Sequence, residues 1–583
     1  MSKPVTDKYA IAAALQEIGT LLELKGGQYF KARAYKLGAR AVAELSEDVG
    51  KLIKQNRLTL VKGIGYALAK QIEELYTIGE SSLLKQLRAE LPPGIIELAN
   101  VPGLTVKKVS QLHEALGIAT VEQLKAAAEA GKVREVKGFG AKTEQKLLEA
   151  IAGHKHREQR IHLHHARRTG DRILDYLETA PGFLQAELAG SLRRSKETVS
   201  EIVIVASAKT PAKLIGHFLR FPLVVRAEEQ TPQYCSVVLS EGFKATLFAV
   251  KREEFPAVLF QATGSQSHLD KLAAIATKRK LSLTGRGIEK TSASRARGAA
   301  PSIRIKTEAD IYQHLKMQYV PPELREDQGE IEAALAGRLP EDLITTDDVR
   351  GMVHCHTTYS DGKHSVEQMV YAAEVMGMKY VTITDHSPTA FYAGGVKIDR
   401  LQAQWEEIDR VQEQTKIKIL KGTESDILQN GSLDYPDWIL EQFDVIVASI
   451  HSRYKMNEDQ MTRRIVTAMR QPVFKIWGHA LGRLIQKRPP FDCRVEEILD
   501  VIAESRAAIE INGDPYRLDL EPRWVRAARE RKIKFVISVD AHSTGALHNV
   551  KYGVGIARRG WVRRGEVLNA LGVKAFQKAV RPV

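Results

Sequence analysis

The stretch that decides the fold of the C-terminal half is MVHCHTTYSDG, residues 352–362, in which two histidines stand two residues apart and an aspartate follows. In an extended strand, alternate side chains point to the same face, so His354 and His356 share one face and Cys355 takes the other. The two imidazoles can therefore converge on one metal ion. A single pair of this kind fits two hydrogen-bonded polar side chains equally well, so the interpretation depends on the rest of the chain.

Further short apolar runs follow residue 349 and alternate with helical segments, which is typical of β/α units. In a β/α barrel the carboxyl ends of the strands meet at one mouth, so side chains at those ends come together. All but one of the runs end in His, Asp or Glu. The runs are MVHCH, YVTITDH, IKILKGTE, VIVASIH, VFKIWGH, AAIEIN and FVISVDAH.

The candidate metal ligands are histidines and carboxylates that share this position near a strand end. They are His354, His356, Asp361, His386, Glu424, His451, His479, Asp540 and His542. This set exceeds what one ion needs, and it fits two or three divalent ions bridged by Glu424. Mixed imidazole and carboxylate ligands suit Mn²⁺ and Zn²⁺ alike. We assign catalytic roles to the carboxylates of Asp361, Glu424 and Asp540.

Two arginines lie close to the predicted strand ends, Arg483 in GHALGRL and Arg517 in PYRLD. Their planar donor forks suit the oxygens of a phosphate. We predict that both bind phosphate and that Arg483 belongs to the catalytic set. Structural ion pairs at the rim are the equal alternative for both side chains.

Composition limits the class of protein. A chain of 583 residues exceeds what one hydrophobic core organises, and a net charge of +15 favours a polyanionic partner such as nucleic acid. No apolar run reaches the ~20 residues that span a bilayer, and the N-terminus lacks a signal-peptide layout. We expect a cytoplasmic, nucleoid-associated protein without a membrane partner. Cys235, Cys355 and Cys493 are expected to be small buried hydrophobes rather than disulfide partners.

The N-terminal region is helical in pattern and repeats one kind of turn. VKGIGYALAKQIEEL (residues 61–75) and VKGFGAKTEQKLLEAI (136–151) share two glycines before a helix, and VPGLTVKKVSQL (101–112) has Thr105 at the second glycine position. Glycines allow a tight turn whose amide groups face a phosphate. These segments resemble helix-hairpin-helix motifs, which grip DNA backbones, with a packed helical hairpin as the alternative. The predicted DNA-binding glycines are Gly63, Gly65, Gly103, Gly138 and Gly140.

Four longer segments, GGQYFKARAYKLGARAV, AGSLRRSKETVSEIVIV, ATGSQSHLDKL and YVPPELREDQGE, resemble bacterial X-family DNA polymerases over residues 1–335. A polymerase palm of this family holds two Mg²⁺ ions with three carboxylates. The matching positions here are Glu201, Val203 and Thr246, of which only Glu201 can bind a cation. The resemblance therefore implies a degraded polymerase site with inactive or weak synthesis. Arg193 and Arg194 are retained and are predicted to contact DNA phosphate.

The motifs HxH…SDG, TDHS, GTESDIL, SIHS, GHALGRL and SVDAHS, within residues 345–575, are similar to those of the PHP (polymerase and histidinol phosphatase) domain. Every candidate ligand matches a ligand position of that family. The resemblance implies a distorted seven-stranded barrel with a metal centre that hydrolyses phosphoesters. In bacterial X-family polymerases such a domain acts as a 3′–5′ exonuclease, with 3′-end cleaning or abasic-site cleavage as further family activities.

Together these observations predict a multidomain fold: a helix-hairpin-helix N-terminal region, an α+β polymerase-beta-like palm and thumb, and a C-terminal distorted (β/α)₇ PHP barrel. The predicted domains are a helical DNA-binding domain (1–90), a fingers-like domain (91–155), a degraded palm (156–255), a thumb (256–320), a linker (321–345) and the PHP domain (346–583).

The predicted function is a metal-dependent DNA repair nuclease, a 3′–5′ exonuclease that acts as a monomer on nicked, gapped or single-stranded 3′ ends. An active gap-filling polymerase, a non-catalytic DNA-binding scaffold and a small-molecule phosphatase are the alternatives.

Overall fold

Two units make up the chain in the computed structural model. The first contains residues 1–160, 216–231 and 235–245, and the second contains residues 161–215, 232–234 and 246–583. The structure describes residues 8–25, 28–43, 45, 49–61, 63–78, 81–90, 95, 98, 101, 104–156, 160–240, 242–290, 302–303 and 305–582.

Short amphipathic helices build the N-terminal part of the first unit. They are α1 (Lys8–Lys25), α2 (Tyr29–Ala43), α3 (Val49–Lys54), α4 (Tyr66–Ile78), α5 (Ser82–Glu90), α6 (Val106–Leu116), α7 (Val121–Glu129) and α8 (Ala141–His156), with 3₁₀ turns at Leu58–Leu60 and Val133–Glu135. Their apolar faces form separate hydrophobic cores. Ile18 and Ile72 lie in the core of α1–α5, and Leu112 and Leu124 lie in the core around α6–α8.

The two glycine turns predicted to be alike have the same geometry. Gly63 and Gly138 both adopt a φ of 93°, a left-handed conformation that favours glycine. Each turn is followed two residues later by an exposed glycine, Gly65 or Gly140, directly before the first residue of α4 or α8. Gly103 lies outside the described residues. In the third segment, Thr105 stands at the second glycine position and caps α6 by accepting a hydrogen bond from the Lys108 amide at 3.3 Å.

The middle of the chain alternates strands and helices. Its strands are β1 (Ile161–His162), β2 (Phe183–Leu188), β3 (Thr198–Val199), β4 (Glu201–Ala208), β5 (Val224–Gln230), β6 (Tyr234–Leu239), β7 (Lys244–Val250), β8 (Leu281–Thr284), β9 (Gly287–Lys290) and β10 (Ser302–Ile303). Its helices are α9 (Leu163–Glu178), α10 (Gly190–Arg193), α11 (Pro211–Phe218), α12 (Phe255–Thr263), α13 (Gln266–Lys278) and α14 (Glu308–His314). Strands β2 and β4 pair antiparallel, as do β5 with β6 and β8 with β9.

Seven parallel strands, each hydrogen-bonded to the next in chain order, form the C-terminal sheet. They are β11 (Gly351–Met352), β12 (Tyr380–Ile383), β13 (Lys418–Asp426), β14 (Val445–Ser449), β15 (Ile476–Trp477), β16 (Ala508–Asn512) and β17 (Phe535–Ser538). The α-helices of this region are α15 (Glu330–Leu335), α16 (Val366–Val375), α17 (Ile398–Gln412), α18 (Asp437–Leu440), α19 (Glu458–Arg470), α20 (Val495–Glu504), α21 (Pro522–Glu530), α22 (Val550–Arg559) and α23 (Val573–Val580). Its 3₁₀ turns are Pro322–Leu324, Thr346–Asp348, Phe391–Ala393, Thr544–Asn549, Arg564–Glu566 and Leu568–Ala570.

The first and last strands of this sheet meet beyond their regular ends and nearly close it into a barrel. The His356 amide donates to the Ala541 carbonyl, and the Ala541 amide donates to the His354 carbonyl, each at 2.9 Å. Cys355 and Ala541 thereby form a parallel bridge. The predicted seven-stranded barrel is confirmed, and its closure lies at the residues predicted to bind metal.

Two further sequence predictions concern burial and membranes. Cys235 and Cys355 are free and buried as expected, whereas Cys493 is free but only partly buried. Among the described residues, no helix combines the length and the apolar character needed to cross a membrane.

Candidate metal centre

The structure brings the predicted ligands together at the carboxyl ends of the barrel strands. Donor atoms lie within 4.8 Å of one another in three overlapping groups: His356, Asp361, His386 and His542; His354, His356, Glu424 and Asp540; and His386, Glu424 and His451. His479 completes the set, because its Nε2 lies 2.8 Å from Glu424 Oε1 and 3.2 Å from His451 Nε2. Glu424 therefore stands at the centre of the cluster.

For three of the histidines, hydrogen bonds determine which ring nitrogen can bind a metal ion. His354 Nδ1 lies 2.6 Å from Glu510 Oε1, and His451 Nδ1 lies 2.5 Å from Asp426 Oδ1. His542 Nδ1 lies 2.9 Å from the Asp540 carbonyl oxygen. Because these oxygens only accept hydrogen bonds, each Nδ1 carries the proton and donates it. In the neutral form of each ring, the Nε2 lone pair is therefore left for a metal ion.

Several buried polar atoms of the cluster have no hydrogen-bond partner within the described chain. They are Nε2 of His354 and His356, Nδ1 of His386, Oε2 of Glu424 and Oδ1 of Asp540. Leaving a buried polar atom unsatisfied costs about 1–3 kcal/mol. A divalent cation among these atoms removes that cost by accepting their lone pairs. The residues present therefore fit a metal centre.

The loop that carries Asp361 is held in place by a buried carboxylate. Asp385 accepts hydrogen bonds from the Thr357 amide at 2.7 Å and from the Ser360 hydroxyl at 2.5 Å. A Cβ at Gly362 would lie 2.5 Å from the His356 carbonyl, so only glycine permits this close approach of the loop. Asp361 is thereby directed at His542, with 3.2 Å between Oδ1 and Nε2.

Charge in the cluster is arranged for cation binding. Burial raises the pKa values of the Glu424 and Asp540 carboxyl groups, but the neighbouring imidazoles outweigh burial and hold both pKa values well below their ordinary range. Burial, together with the imidazoles of His542 and His386, lowers the pKa of His356 to about 3. Near neutral pH these carboxylates are ionised and His356 is neutral, which are the states that bind a divalent cation.

Strand alternation explains the first histidine pair better than the last pair of ligands. His354 and His356 flank the bridged Cys355, as expected for an extended segment. Strand β17 ends at Ser538, and Asp540 beyond it has a φ of 52°, in the left-handed region. Asp540 and His542 therefore do not lie on a regular extended strand, yet both side chains reach the cluster. Strained backbone at a residue other than glycine is common at functional sites.

The two arginines predicted to bind phosphate have different surroundings in the structure. Arg517 lies at the cluster, with Nε 3.4 Å from Asp540 Oδ2. The buried guanidinium of Arg483 instead contacts Glu197 at 2.9 Å and Glu521 at 3.2 Å. The predicted catalytic and phosphate-binding roles of Arg483 conflict with this geometry, because its donors are engaged by carboxylates and carbonyls. For Arg483 the alternative of a structural ion pair describes what is observed.

The polymerase-like residues have a different environment. The hydroxyl of Thr246 donates to Glu201 Oε2 at 2.8 Å, and the Val203 side chain lies against Gly190. Glu201 belongs to none of the groups of potential metal ligands found among the described residues. The predicted phosphate contacts Arg193 and Arg194 form ion pairs with Glu308 and Glu326, each at 2.7 Å. Their guanidinium groups are thus largely engaged within the protein.

Sequence reasoning missed the carboxylates that orient the ligands, namely Glu510, Asp426 and Asp385. Glu510 is fully buried on β16, where it accepts from His354, the His479 amide and the Asn512 amide group. The signal that could have found it is a glutamate inside the apolar run AAIEIN, since a carboxylate is rarely buried without a partner. Glu510 was missed because only residues at strand ends were considered as candidates.

Family models match most parts of the chain. They are a helix-hairpin-helix domain over residues 7–81, a SAM-like helix-hairpin-helix tandem over 95–152, a DNA polymerase beta thumb over 258–326 and a PHP domain over 353–514.

Individual relatives extend these similarities. The chain is 33% identical over 570 residues to the protein named DNA polymerase/3′-5′ exonuclease PolX of Bacillus subtilis (strain 168), and the match covers 97% of this chain and 98% of that protein. A probable phosphatase of Thermoanaerobacter sp. (strain X514) is 26% identical over 235 residues, which are 37% of this chain and 88% of the phosphatase. A probable phosphatase of Caldanaerobacter subterraneus is 28% identical over 206 residues, which are 32% of this chain and 74% of the phosphatase.

The first prediction concerns Glu510. Glu510→Gln keeps the size but places an amide donor against either His354 Nδ1–H or the His479 N–H, so we expect metal affinity to fall about 10- to 100-fold. Competition with a chromophoric chelator measures the affinity, and Glu504→Gln on α20, away from the cluster, is the control. Equal affinities for the Glu510 variant and the wild type would show that this carboxylate does not orient the ligands.

The second prediction concerns pH. Burial lowers the pKa values of His451 and His542, but nearby carboxylates, Glu424 for His451 and Asp361 for His542, raise them to about 10 and about 9 in the metal-free protein. Both rings are then protonated at neutral pH, and a metal must displace their protons. Affinity should therefore rise with pH below these pKa values, by up to ~10-fold per pH unit for each proton released. Calorimetry in buffers of different ionisation enthalpy counts the protons, and a pH-independent affinity between pH 6 and 8 contradicts the prediction.

Proposed function

Since the chain belongs to the bacterial X-family DNA polymerases that carry a PHP domain, we propose that it is a DNA repair nuclease whose barrel removes nucleotides from 3′ ends, and that its polymerase-like half binds DNA but synthesises little or none. The observation that carries this proposal is the contrast between the two candidate sites. The barrel rim holds three overlapping groups of ligands, whereas the palm position retains Glu201 beside Val203 and Thr246.

The proposed reaction is hydrolysis of a phosphodiester at the barrel rim, with two or three Mn²⁺ or Zn²⁺ ions held by the clustered histidines and carboxylates. When bound, such ions polarise the phosphate and lower the pKa of the attacking water. Glu424, which belongs to two of the three groups, would be among the residues that hold these ions. Arg517 has a buried Nη1 without a hydrogen-bond partner in the described chain, and this donor is suited to a phosphate oxygen. Asp361 is partly exposed and marks the open side of the site.

The polymerase-like half supports the proposal because the side chains around Glu201 provide few metal ligands. Two-metal phosphoryl transfer needs several anionic oxygens around the ions. The one remaining carboxylate, Glu201, already accepts a hydrogen bond from Thr246, and a methyl group of Val203 occupies the neighbouring position against Gly190. This environment gives a Mg²⁺ ion one carboxylate ligand at most, so an active gap-filling polymerase is the less favoured function.

The relatives named probable phosphatases match about a third of the chain and give a second candidate, hydrolysis of a small phosphomonoester. The repeated glycine turns favour DNA instead, because exposed backbone amides at the N-terminal ends of α4 and α8 suit a phosphate backbone. Comparing hydrolysis of single-stranded, nicked and gapped DNA with that of a chromogenic phosphomonoester separates the two functions. A DNA-binding scaffold without catalysis predicts that none of these substrates is cleaved.

The third prediction locates the chemistry. Asp540→Asn removes a charged ligand and His356→Ala deletes a ligand, so each should lower DNA hydrolysis at least ~100-fold while DNA affinity stays within about twofold. Release of the 3′-terminal nucleotide from labelled single-stranded DNA, with metal content measured on the same preparations, tests this. Asp500→Asn, which removes a carboxylate from an exposed ion pair with Arg531, is the matched control. Wild-type cleavage by both cluster variants would mean that the nuclease site lies elsewhere.

The fourth prediction concerns synthesis. Primer extension should be absent or marginal with Mg²⁺ or Mn²⁺, because one carboxylate cannot hold two ions. The assay uses His356→Ala protein so that degradation cannot hide the extended product. Glu201→Gln in the same background is the control for a contaminating polymerase. Robust template-directed incorporation that disappears in the Glu201 variant would overturn the claim that this half is inactive.

The fifth prediction concerns the DNA grip. A Cβ at Gly65 or Gly140 would have no neighbour within 4 Å, so Gly65→Glu and Gly140→Glu should fold normally. A carboxylate before a helix N-terminus favours the helix but repels a phosphate. We expect these variants to weaken DNA binding at least ~10-fold for every sequence tested, since backbone contacts carry no base information.

The corresponding Gln variants are the matched controls for the grip, because they keep the size without the charge. Anisotropy titrations on several DNA sequences measure the effect. Unchanged affinity in the Glu variants, or loss for one sequence only, argues against phosphate binding at these turns.

A further inference from the structure

An ion pair between a buried arginine and a partly buried glutamate joins the polymerase-like sequence to the barrel within the second unit. Both terminal nitrogens of Arg483 contact the Glu197 carboxylate, at 2.9 Å and 3.2 Å. The Arg483 side chain is only 7% exposed. Glu197 is itself anchored, because its carbonyl accepts a hydrogen bond at 3.0 Å from the amide of Leu163, the first residue of α9. This two-point contact fixes the orientation of the Arg483 guanidinium.

The same guanidinium holds the loop that carries Arg517. Arg483 Nε donates to the Arg517 carbonyl at 2.8 Å, and Nη2 also donates to the Leu518 carbonyl. Nη1 contacts Glu521 at 3.2 Å. Its donors are thus divided between Glu197 on one side and residues 517–521 on the other. We refer to residues 514–521 as the Arg517 loop.

The Arg517 loop ends at the metal centre. Arg517 Nε lies 3.4 Å from Asp540 Oδ2, and Asp540 belongs to the ligand group that includes His354, His356 and Glu424. A continuous set of contacts therefore runs from Glu197 through Arg483 and the Arg517 backbone to a ligand of the barrel cluster. The connection is made of charged groups with little solvent exposure, where electrostatic contacts are stronger than at the surface.

From this geometry we infer that Glu197 and Arg483 are positioning residues for the phosphoesterase site. The degraded polymerase half supplies Glu197, which orients Arg483, and Arg483 in turn holds the Arg517 loop so that the Arg517 guanidinium faces Asp540 and the scissile phosphate. The inference rests on the proposed function of the barrel. It gives the polymerase-like half a role in hydrolysis that is separate from gripping DNA.

Loss of the Glu197 charge has a specific expected consequence. Glu197→Gln removes the carboxylate that orients the buried Arg483 from the side opposite the Arg517 loop, so the guanidinium shifts relative to the Arg517 and Leu518 carbonyls. A displacement of about 1 Å at a catalytic site can lower the rate by up to ~100-fold. We expect kcat/KM for single-stranded DNA to fall about 10-fold, chiefly through kcat.

A second ion pair of the same unit provides the matched control. Glu323 contacts Arg558 at 2.7 Å, with exposure similar to that of Glu197, and Arg558 donates its other contact to the Ile344 carbonyl rather than to the Arg517 loop. Glu323→Gln therefore removes a comparable ion pair without releasing that loop. We expect its kcat/KM to stay within about twofold of the wild type.

The test combines these variants with Arg517→Lys. If Glu197 acts through Arg517, adding Glu197→Gln to Arg517→Lys should change kcat/KM by less than about twofold, because the two changes affect one interaction. Multiplied effects in the double variant, or equal effects of Glu197→Gln and Glu323→Gln, overturn the inference. Each measurement uses the full chain loaded with Mn²⁺ and 3′-labelled single-stranded DNA.

A measurement that does not depend on catalysis tests this inference separately from the proposed function. The amides of Arg517 and Leu518 donate to the Asp514 carbonyl at 2.9 Å and 3.0 Å, so their hydrogen exchange reports order in the loop. In metal-free protein, exchange over residues 514–521 should be faster in Glu197→Gln and unchanged in Glu323→Gln. Unchanged exchange in both variants, or equally faster exchange in both, overturns the inference. If the wild type cleaves no DNA, the proposed function is wrong, but the exchange measurement still tests whether Glu197 and Arg483 order the loop.

Discussion

The closure of the barrel between residues 354–356 and Ala541 is the constraint on which the metal centre depends. Two backbone hydrogen bonds join the first strand to the last at the level of the ligands. They place the residues on either side of Cys355 opposite those on either side of Ala541, so His356 Nε2 reaches Asp540 Oδ1 at 3.1 Å. Each such bond contributes only about 0.5–1.5 kcal/mol. Its larger effect is geometric, because ligands from the two chain ends of the barrel can share an ion only if the sheet closes in this register.

Buried charge sets the second constraint. The cluster combines fully buried Glu424 and Glu510 with His354, and the side chains of Asp540 and His451 are also nearly covered. Carboxylates and imidazoles in this arrangement stabilise one another only in part, since several of their donor atoms lack partners. A cation that binds the folded state but not the unfolded chain therefore raises the free energy of unfolding, in addition to any role in catalysis. The outer carboxylates Glu510 and Asp426 serve both purposes, because they accept the Nδ1–H of His354 and His451 and so direct Nε2 of each ring at the cluster.

The sequence predicted the barrel and the meeting of its ligands because both follow from local rules. Apolar runs define the strands, and parallel strands bring their carboxyl ends to one mouth. What the sequence could not supply were contacts between residues distant in the chain. The pairing of Arg483 with Glu197, 286 positions away, depends on how the barrel packs against the preceding strands. The role of Glu510 depends on His354 lying across the barrel. A planar donor fork near a strand end is compatible with a phosphate or a carboxylate, and only the folded structure shows that Arg483 faces carboxylates while Arg517 faces the cluster.

Strand β4 keeps a regular structure with Val203 where the resemblance to X-family polymerases predicts a carboxylate. Strand β4 pairs antiparallel with β2, and Ile202, Ile204 and Val205 are fully buried, so this strand contributes to the packed core. Val203 and Thr246 carry no charge, so these positions create no repulsion between like charges that an ion would have to offset. Thr246 then pairs with the remaining Glu201 by a hydrogen bond that needs no cation. A palm that folds without metal still provides the segment that ends at Glu197. In the proposed function, the polymerase-like half therefore supports DNA and the barrel.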